Sequence, residues 1–517
     1  MKQETSSSHT FPRDGKLLSP WQTEANSKDD TSRKNQIQEC DVLIAGAGIT
    51  GLTAALKLRQ AGKKVIVADL NSPGFGTTGG TSAHINTFAD TTYTEVRQSF
   101  GADAAKQFAK AVLDGFQIIS DNIKQLNISC DFEDKPGYLY AETEEEEKQL
   151  DDIYKGALDV GVEMSYTEDA PLKPAYLKAL LIPNQAQFHP LKYLQALAKE
   201  FTEIGGIILE DTKIESLNST DGRHECKFKN GSVTASHVFY ATHVPPGLNL
   251  FNFRCAPYRS YVMAFKLKSG QYPDALIYDM QEPYHYIRTH EVDGEQLLLV
   301  GGEDHKTGHD DPEKAFKALE KYTSKYYNIS SVKYKWSSQY YIPVDGLPYV
   351  GQMPLAAKGI YCATGYNGNG MMLGSISGSI VADLILDKKN ELSDLFNPSR
   401  LKPIEGFTEF VKENADAAYH FVADRLSIKD TDSLNRLRPG TGKVVELDGK
   451  KVAAYRDDQG EFHTLSPVCT HAKCIVNWNA EETTWDCPCH GARYDIEGQV
   501  LNGPATKNLE KIDFSKD

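Results

Sequence analysis

The chain has 517 residues, 40% of them hydrophobic, with a formal net charge of −15 and nine cysteines. That length calls for two to four domains, and the hydrophobic share excludes a low-complexity chain. The acidic balance argues against nucleic acid or an anionic membrane surface as a partner, and no apolar run reaches the 18 residues that a membrane span needs.

Residues 1–38 read as a polar leader, with Lys28-Asp29-Asp30 and Arg33-Lys34 and without the apolar core of a signal peptide. Five cysteines (Cys40, Cys130, Cys226, Cys255 and Cys362) are scattered singly. This usage points to a cytoplasmic protein whose thiols stay reduced.

Asp41 to Ala45 predicts a buried strand, Gly46-Ala-Gly48-Ile-Thr-Gly51 a turn into a helix that stops at Gly62, and Lys63 to Ala68 a second strand ending at Asp69. A strand, G-x-G-x-x-G, a helix, then a strand with a terminal acid is the pattern that binds a dinucleotide. The first glycine makes the tight turn, the second admits a pyrophosphate to the backbone, and the third lets helix and sheet pack. The helix N-terminus supplies the anion site, and Asp69 offers acceptors to a ribose.

Residues from about 90 to 180 carry mostly helical periodicity. The run Glu144 to Glu147 reads as a solvated helix start. Leu191 to Gly205 predicts another amphipathic helix, Val262 to Leu267 and Gln296 to Val300 predict strands, and Asp221-Gly222 and Asn230-Gly231 predict hairpin turns. This alternation suits a mixed sheet over a substrate pocket, inserted at about 150–340. The nucleotide half resumes with a strand at His237 to Thr242 and another at Gly359 to Ala363. Then come Gly365-Tyr-Asn-Gly368-Asn-Gly370-Met371-Met372 and a small-residue helix from Gly374.

Together these pieces resemble the D-amino-acid-oxidase-like family of FAD-dependent oxidoreductases over roughly residues 39–395. The resemblance implies an α/β FAD-binding domain of Rossmann-like type with a mixed-sheet substrate domain. It implies that Gly46, Gly48, Gly51 and Asp69 hold the ADP part, and that Thr81, Ser82 and Ala83 follow the pyrophosphate and ring. Ile214 then lies near the adenine, Ala241 and Thr242 flank the ribityl path, and Gly365, Gly370, Met371 and Met372 close over the pyrimidine edge. His84 falls where dimethylglycine-dehydrogenase-like members bear a covalently flavinylated histidine; the alternative is a non-covalent pocket residue. Arg259 and Arg288 are candidate carboxylate clamps or ordinary sheet arginines, and His189 either caps a helix or lines the pocket. The only other G-x-G-x-x-G, Gly74 to Gly79, falls directly after the first unit and opens no second β-α-β unit, which argues against a two-nucleotide NAD(P)-dependent reductase.

Residues 396–429 read as a linker with an amphipathic helix at 407–426. The last segment, 430–517, contains Cys469-Thr-His471-Ala-Lys-Cys474 and Cys487-Pro-Cys489-His490-Gly491-Ala-Arg-Tyr494. Each knuckle offers one thiolate and one imidazole, the set that a mixed-ligand 2Fe–2S cluster requires. Zinc is the alternative for Cys and His at short spacing, but six ligand-type residues exceed the four it wants. The pattern resembles the Rieske iron–sulfur family, an all-β domain. By that resemblance Cys469 and Cys487 hold one iron, His471 and His490 hold the other, and Cys474 and Cys489 match the pair that high-potential members join by a disulfide. Ala492 stands where those members usually have a serine, whereas Tyr494 keeps the second donor.

The tandem order resembles bacterial flavin–Rieske fusion oxidoreductases. It implies FAD-dependent oxidation of a small amine, amino acid or related donor by hydride transfer, with single electrons passing through the cluster to or from a protein partner. Two rivals follow from the same residues. One is a redox sensor or electron carrier without a dedicated substrate, for which a middle region the size of a whole domain is more than is needed. The other is a Rieske oxygenase, whose mononuclear iron would require His305 and His309 with Asp304, Asp310 or Asp311.

Overall fold

The computed structural model describes residues 11, 13–23, 39–400, 434–447 and 449–512. The expected linker helix at 407–426 lies outside the described residues. None of the described helices is long and apolar enough to cross a membrane.

The nucleotide half is a sheet in the order Tyr349–Gln352, Ile360–Thr364, Gly231–Tyr240, Glu39–Ala45, Val65–Ala68 and Ile207–Leu209. Its four inner strands are parallel to one another. Val42, Leu43 and Ile44 are fully buried, as expected of a parallel strand covered on both faces. Helix Ile49–Gln60 follows the first strand, and the small-residue helix Gly370–Ile385 packs against it. The turns at Asp221-Gly222 and near Asn230-Gly231 join antiparallel strands at the sheet's edge.

The second sheet runs Ile329–Pro343, Cys255–Leu267, Glu295–Lys306, His285–Val292, Leu276–Asp279, Glu133–Ala141, Lys178–Gln187 and His84–Ile85. Helical periodicity between 90 and 180 holds for Tyr93–Phe100, Ala102–Gln125 and Glu144–Val160, and Glu144 to Glu147 form that last helix's first turn. It conceals Glu133–Ala141, which becomes a strand by pairing with Lys178–Gln187 and, in parallel, with Leu276–Asp279. The C-terminal part is all-β, with a three-stranded sheet (Thr441–Leu447, Lys450–Arg456, Phe462–Leu465) and a four-stranded one (Asn477–Asn479, Thr484–Asp486, Arg493–Tyr494, Val500–Asn502).

Part of the polar leader is core. Trp21 is fully buried and its indole N–H donates to Thr81 O (2.8 Å), while Ser19 donates to Gly79 O (2.7 Å). Arg13 and Asp14 are paired and buried between the two halves of the protein. Asp14 also faces Arg493 at 3.3 Å and Arg259 at 3.8 Å, and Glu482 faces Arg13 at 3.4 Å and Arg259 at 4.0 Å. Arg493 closes on Asp486 at 2.8 Å. Three guanidinium groups and three carboxylates from three chain segments thus form one buried network. Burial pushes the Asp14 carboxyl up, but Arg13, Arg259 and Arg493 together hold it well below the usual range.

Removing one partner from such a network leaves a buried charge uncompensated. Glu482→Ala is expected to cost about 3–5 kcal/mol, measured by denaturant unfolding; a loss below about 1 kcal/mol, the value of a surface pair, would count against a structural role. A carboxyl held low in the folded state stabilises above its unfolded pKa, so Asp14's contribution should be complete above about pH 4 and decline on acidification.

Candidate functional site

Between the two sheets lies a cavity of about 350 Å³. Of the residues assigned from sequence, Gly46, Gly48, Asp69, Thr81, Ser82, His84, Ile214, Ala241, Thr242, Gly370, Met371 and Met372 line it. Gly51 does not; its place is against the Gly46 carbonyl, where a Cβ would collide. Ala83 and Gly365 are also off the wall. Ala83 is fully buried with its carbonyl receiving Arg288 (2.9 Å), and Gly365 packs beside Pro343 and Cys255.

The nucleotide end fits a dinucleotide. Gly46 has φ +103°, and a Cβ there would lie 2.5 Å from Ala241 O, so only glycine keeps this floor open. Gly48 begins helix Ile49–Gln60 and has no side chain to cap it; the Thr78 hydroxyl accepts from Ile49 N–H at 3.2 Å, and the following helix-start amides face the cavity end that suits an anion. Asp69 accepts from Ala47 N–H (2.6 Å) and Asn71 N–H (2.8 Å) on the cavity wall; burial raises its pKa.

At the other end the wall is the second sheet. His84 sits 5.5 Å from the Tyr278 ring and 5.5 Å, edge-on, from Tyr286. Its Nδ1 pairs with Ser82 Oγ at 3.0 Å, and its Nε2 is buried without a hydrogen bond to any described residue. Burial pushes its pKa down to about 3, so the ring is neutral. Tyr278 donates to Asn86 Oδ1 (2.8 Å), and Tyr340 donates to Asp304 Oδ2 (2.8 Å). Asp90, on the wall, and Asp304, behind Tyr340, are both pushed up to about 7 by burial. No sequence motif marks the tyrosines, for which alternation along strands is the only signal, and Asp90 lies in a loop without one.

The two candidate clamps are both buried but lie elsewhere. Arg259 belongs to the ion network and bonds Ser337. Arg288 donates to Ser82 O (2.9 Å), Ala83 O (2.9 Å) and Phe188 O (3.2 Å), and so holds the loop that leads into His84. His189 caps helix Pro190–Glu203, accepting from Lys192 N–H. The residues that a mononuclear iron would need are dispersed. His305 pairs with Tyr261, His309 with Pro488 O, and Asp311 caps helix Pro312–Tyr326.

In the C-terminal domain, Cys469, His471, Cys487 and His490 converge. The His471 and His490 rings are 4.9 Å apart and near-perpendicular. Both nitrogens of His471 and Nδ1 of His490 are buried without partners among the described residues, and burial lowers both pKa values, to about 3 for His490. Neutral imidazoles with orphaned nitrogens are what metal ligation requires. Hydrogen bonding to Cys487 lowers the pKa of the Cys469 thiol, with a further contribution from Tyr494, whose hydroxyl lies 3.2 Å from its sulfur. Cys474 and Cys489 form a disulfide, so their sulfurs are not thiolate ligands although they lie close to Cys487. The residues therefore fit a Cys₂/His₂ cluster.

This loop presses on the flavin half. Gly491 has φ +74°, and a Cβ there would lie 2.6 Å from Pro257 Cβ and 2.8 Å from Gln339 Nε2. Gln339, itself on the cavity wall, donates to Gly491 O at 3.1 Å and to the Tyr341 hydroxyl at 3.0 Å. Val500 to Asn502, Gly503, Ala505 and Thr506, around the Gly503-Pro504-Ala505 stretch that resembles the Rieske proline loop, also form cavity wall.

Ala492 is fully buried beside the cluster ligands and offers no hydroxyl. A neutral hydrogen bond is worth about 1 kcal/mol, so Ala492→Ser should raise the one-electron potential by tens of millivolts, and Tyr494→Phe should lower it. Spectra at poised potentials measure both; an unchanged value in Ala492→Ser would remove the argument.

Comparison with known proteins agrees with this geometry. Residues 41–384 match the family described as DAO, FAD dependent oxidoreductase, and residues 428–513 match the Rieske [2Fe-2S] domain. The chain is 32% identical over 479 residues to "Putative Rieske 2Fe-2S iron-sulfur protein YhfW" of Bacillus subtilis (strain 168), covering 92% of this chain and 94% of that protein. It is 24% identical over 410 residues to gamma-glutamylputrescine oxidoreductase of Escherichia coli (strain K12), covering 76% and 95%. Among solved structures, glycine oxidase from Geobacillus kaustophilus superposes with a TM-score of 0.58 at 19% identity, over 70% of this chain and 99% of that one. With its dinucleotide cradle and its Cys₂/His₂ loops, the chain belongs to the DAO family of FAD-dependent oxidoreductases and carries a C-terminal Rieske 2Fe–2S domain.

Proposed function

We propose that the protein oxidises a small amine or amino acid and sends the electrons out singly through the cluster. The donor R₂CH–NHR′ loses its α-hydrogen as hydride and its N–H proton, leaving a C=N bond that water hydrolyses to a carbonyl compound and an amine. The flavin when bound supplies the two-electron acceptor, and the 2Fe–2S centre carries one electron at a time.

The chain's own residues supply position. Tyr278, fixed by Asn86, and Tyr286, fixed by Ser260 at 2.9 Å, flank His84 and cover the reacting end of the cavity. Helix Gly370–Ile385 starts at the cavity wall without a side-chain cap among the described residues, and its positive end favours negative charge on a reduced ring. The observation that carries the reading is Gln339. One side chain both lines the cofactor cavity and bonds the residue next to His490.

Anaerobic stopped-flow mixing with a panel of amines and amino acids tests the order of events. Flavin absorbance is expected to fall first and cluster absorbance to follow; a cluster that reduces before the flavin overturns the outward direction. The full chain is the right material, because deleting the cluster domain would also remove a wall of the cavity.

Denaturation by acid or heat tests the role of His84. Its unpartnered Nε2 supports a covalent flavin bond, in which case yellow colour stays with the native chain and is lost from His84→Ala. Complete release from the native chain assigns a non-covalent pocket histidine.

A further inference from the structure

The reacting end of the cavity is lined by Tyr278, Tyr284, Tyr286 and Tyr340, with Asp90 on the same wall and Asp304 directly behind Tyr340. The rings are close to one another, with Tyr284 and Tyr286 centroids 5.8 Å apart. One oxygen of Asp304 accepts from Tyr340, and the other is buried beside the Ser260 hydroxyl without a close hydrogen bond among the described residues. Among those residues no arginine lines the cavity. The one lysine on its described wall, Lys213, is at the nucleotide end beside Ile214 and donates to Thr506 O. The two wall histidines, His84 and His243, are neutral, with pKa values pushed down by burial to about 3 and about 4. Arg288 lies behind the His84 loop, where it is bonded to four backbone carbonyls and His290.

We propose that this end of the cavity receives a cationic amine with no carboxylate beside the reacting carbon, its ammonium held by Asp90 and the tyrosine faces, with Asp304 adding negative charge from behind Tyr340. The assignment rests on the amine-oxidising reading of the same site and narrows its substrate class. An ammonium is drawn to aromatic faces within about 6 Å, and it would place a positive charge beside the desolvated Asp90 carboxyl. An α-amino acid would bring a further carboxylate to a wall that already holds Asp90, with Asp304 behind it. Recognition of such a group ordinarily uses a bidentate guanidinium, and both buried arginines considered for that role are engaged elsewhere.

Calorimetric titration of the full flavin-loaded chain tests this without turnover, with the oxidised flavin spectrum as a second readout. The probes are tetramethylammonium, tert-butanol and pivalate, which share a shape and differ in charge. Tetramethylammonium should bind saturably, tert-butanol at least tenfold more weakly, and pivalate more weakly still. Asp304→Asn and Asp90→Asn should each weaken tetramethylammonium binding tenfold or more at unchanged flavin content. Where an Asn variant fails to fold, the unmodified chain's ranking of the three probes decides. Pivalate binding as tightly as the cation, absence of saturable cation binding, or unchanged affinity in both folded Asn variants overturns the proposal. Anaerobic bleaching separates its failure from that of the broader reading. Bleaching by α-amino acids without cation binding leaves the oxidase reading and removes this one. Cation binding without bleaching by any amine or amino acid does the reverse.

Discussion

Six buried charges, those of Arg13, Asp14, Arg259, Glu482, Asp486 and Arg493, hold the leader, the substrate sheet and the cluster domain in one register. Each charge carries a heavy desolvation cost on its own; Arg13–Asp14 and Arg493–Asp486 pair within their own segments, and Asp14–Arg493, Arg13–Glu482 and the contacts of Arg259 join the three. Ser337 adds its hydroxyl and amide to Glu482, and Leu17 its amide. Apolar packing would tolerate sliding between the halves; paired buried charges do not.

That register sets what the cluster loop touches. Gly491 fits against Pro257 and Gln339 only because it has no side chain, and His309 and Asn477 add bonds to Pro488 O and Gly308 O across the same junction. Cofactor cavity and cluster loop therefore share a wall, and a small-molecule site and a one-electron site are held at fixed separation.

Local chemistry is legible in the sequence and long-range chemistry is not. The glycine turn at Gly46 to Gly51 and the Cys and His knuckles declare themselves because their function requires residues adjacent in the chain. Strand Glu133–Ala141 is hidden because its partners are Lys178–Gln187 and Leu276–Asp279, and pairing overrides local preference. The tyrosine wall comes from separate stretches, and nothing at Tyr278 announces Tyr340. Arg13 and Asp14 read as ordinary leader charges, since burial is a property of what covers them. Arg259 and Arg288 do hold special positions, but their charges serve the ion network and a backbone loop.

The wall formed by residues 500–506 has a consequence for biogenesis. A ribosome makes the nucleotide-binding strands well before this wall, so the cavity stays open on one side until the cluster domain emerges. The cavity is therefore a late product of synthesis, complete only when the last domain of the chain has docked against the first.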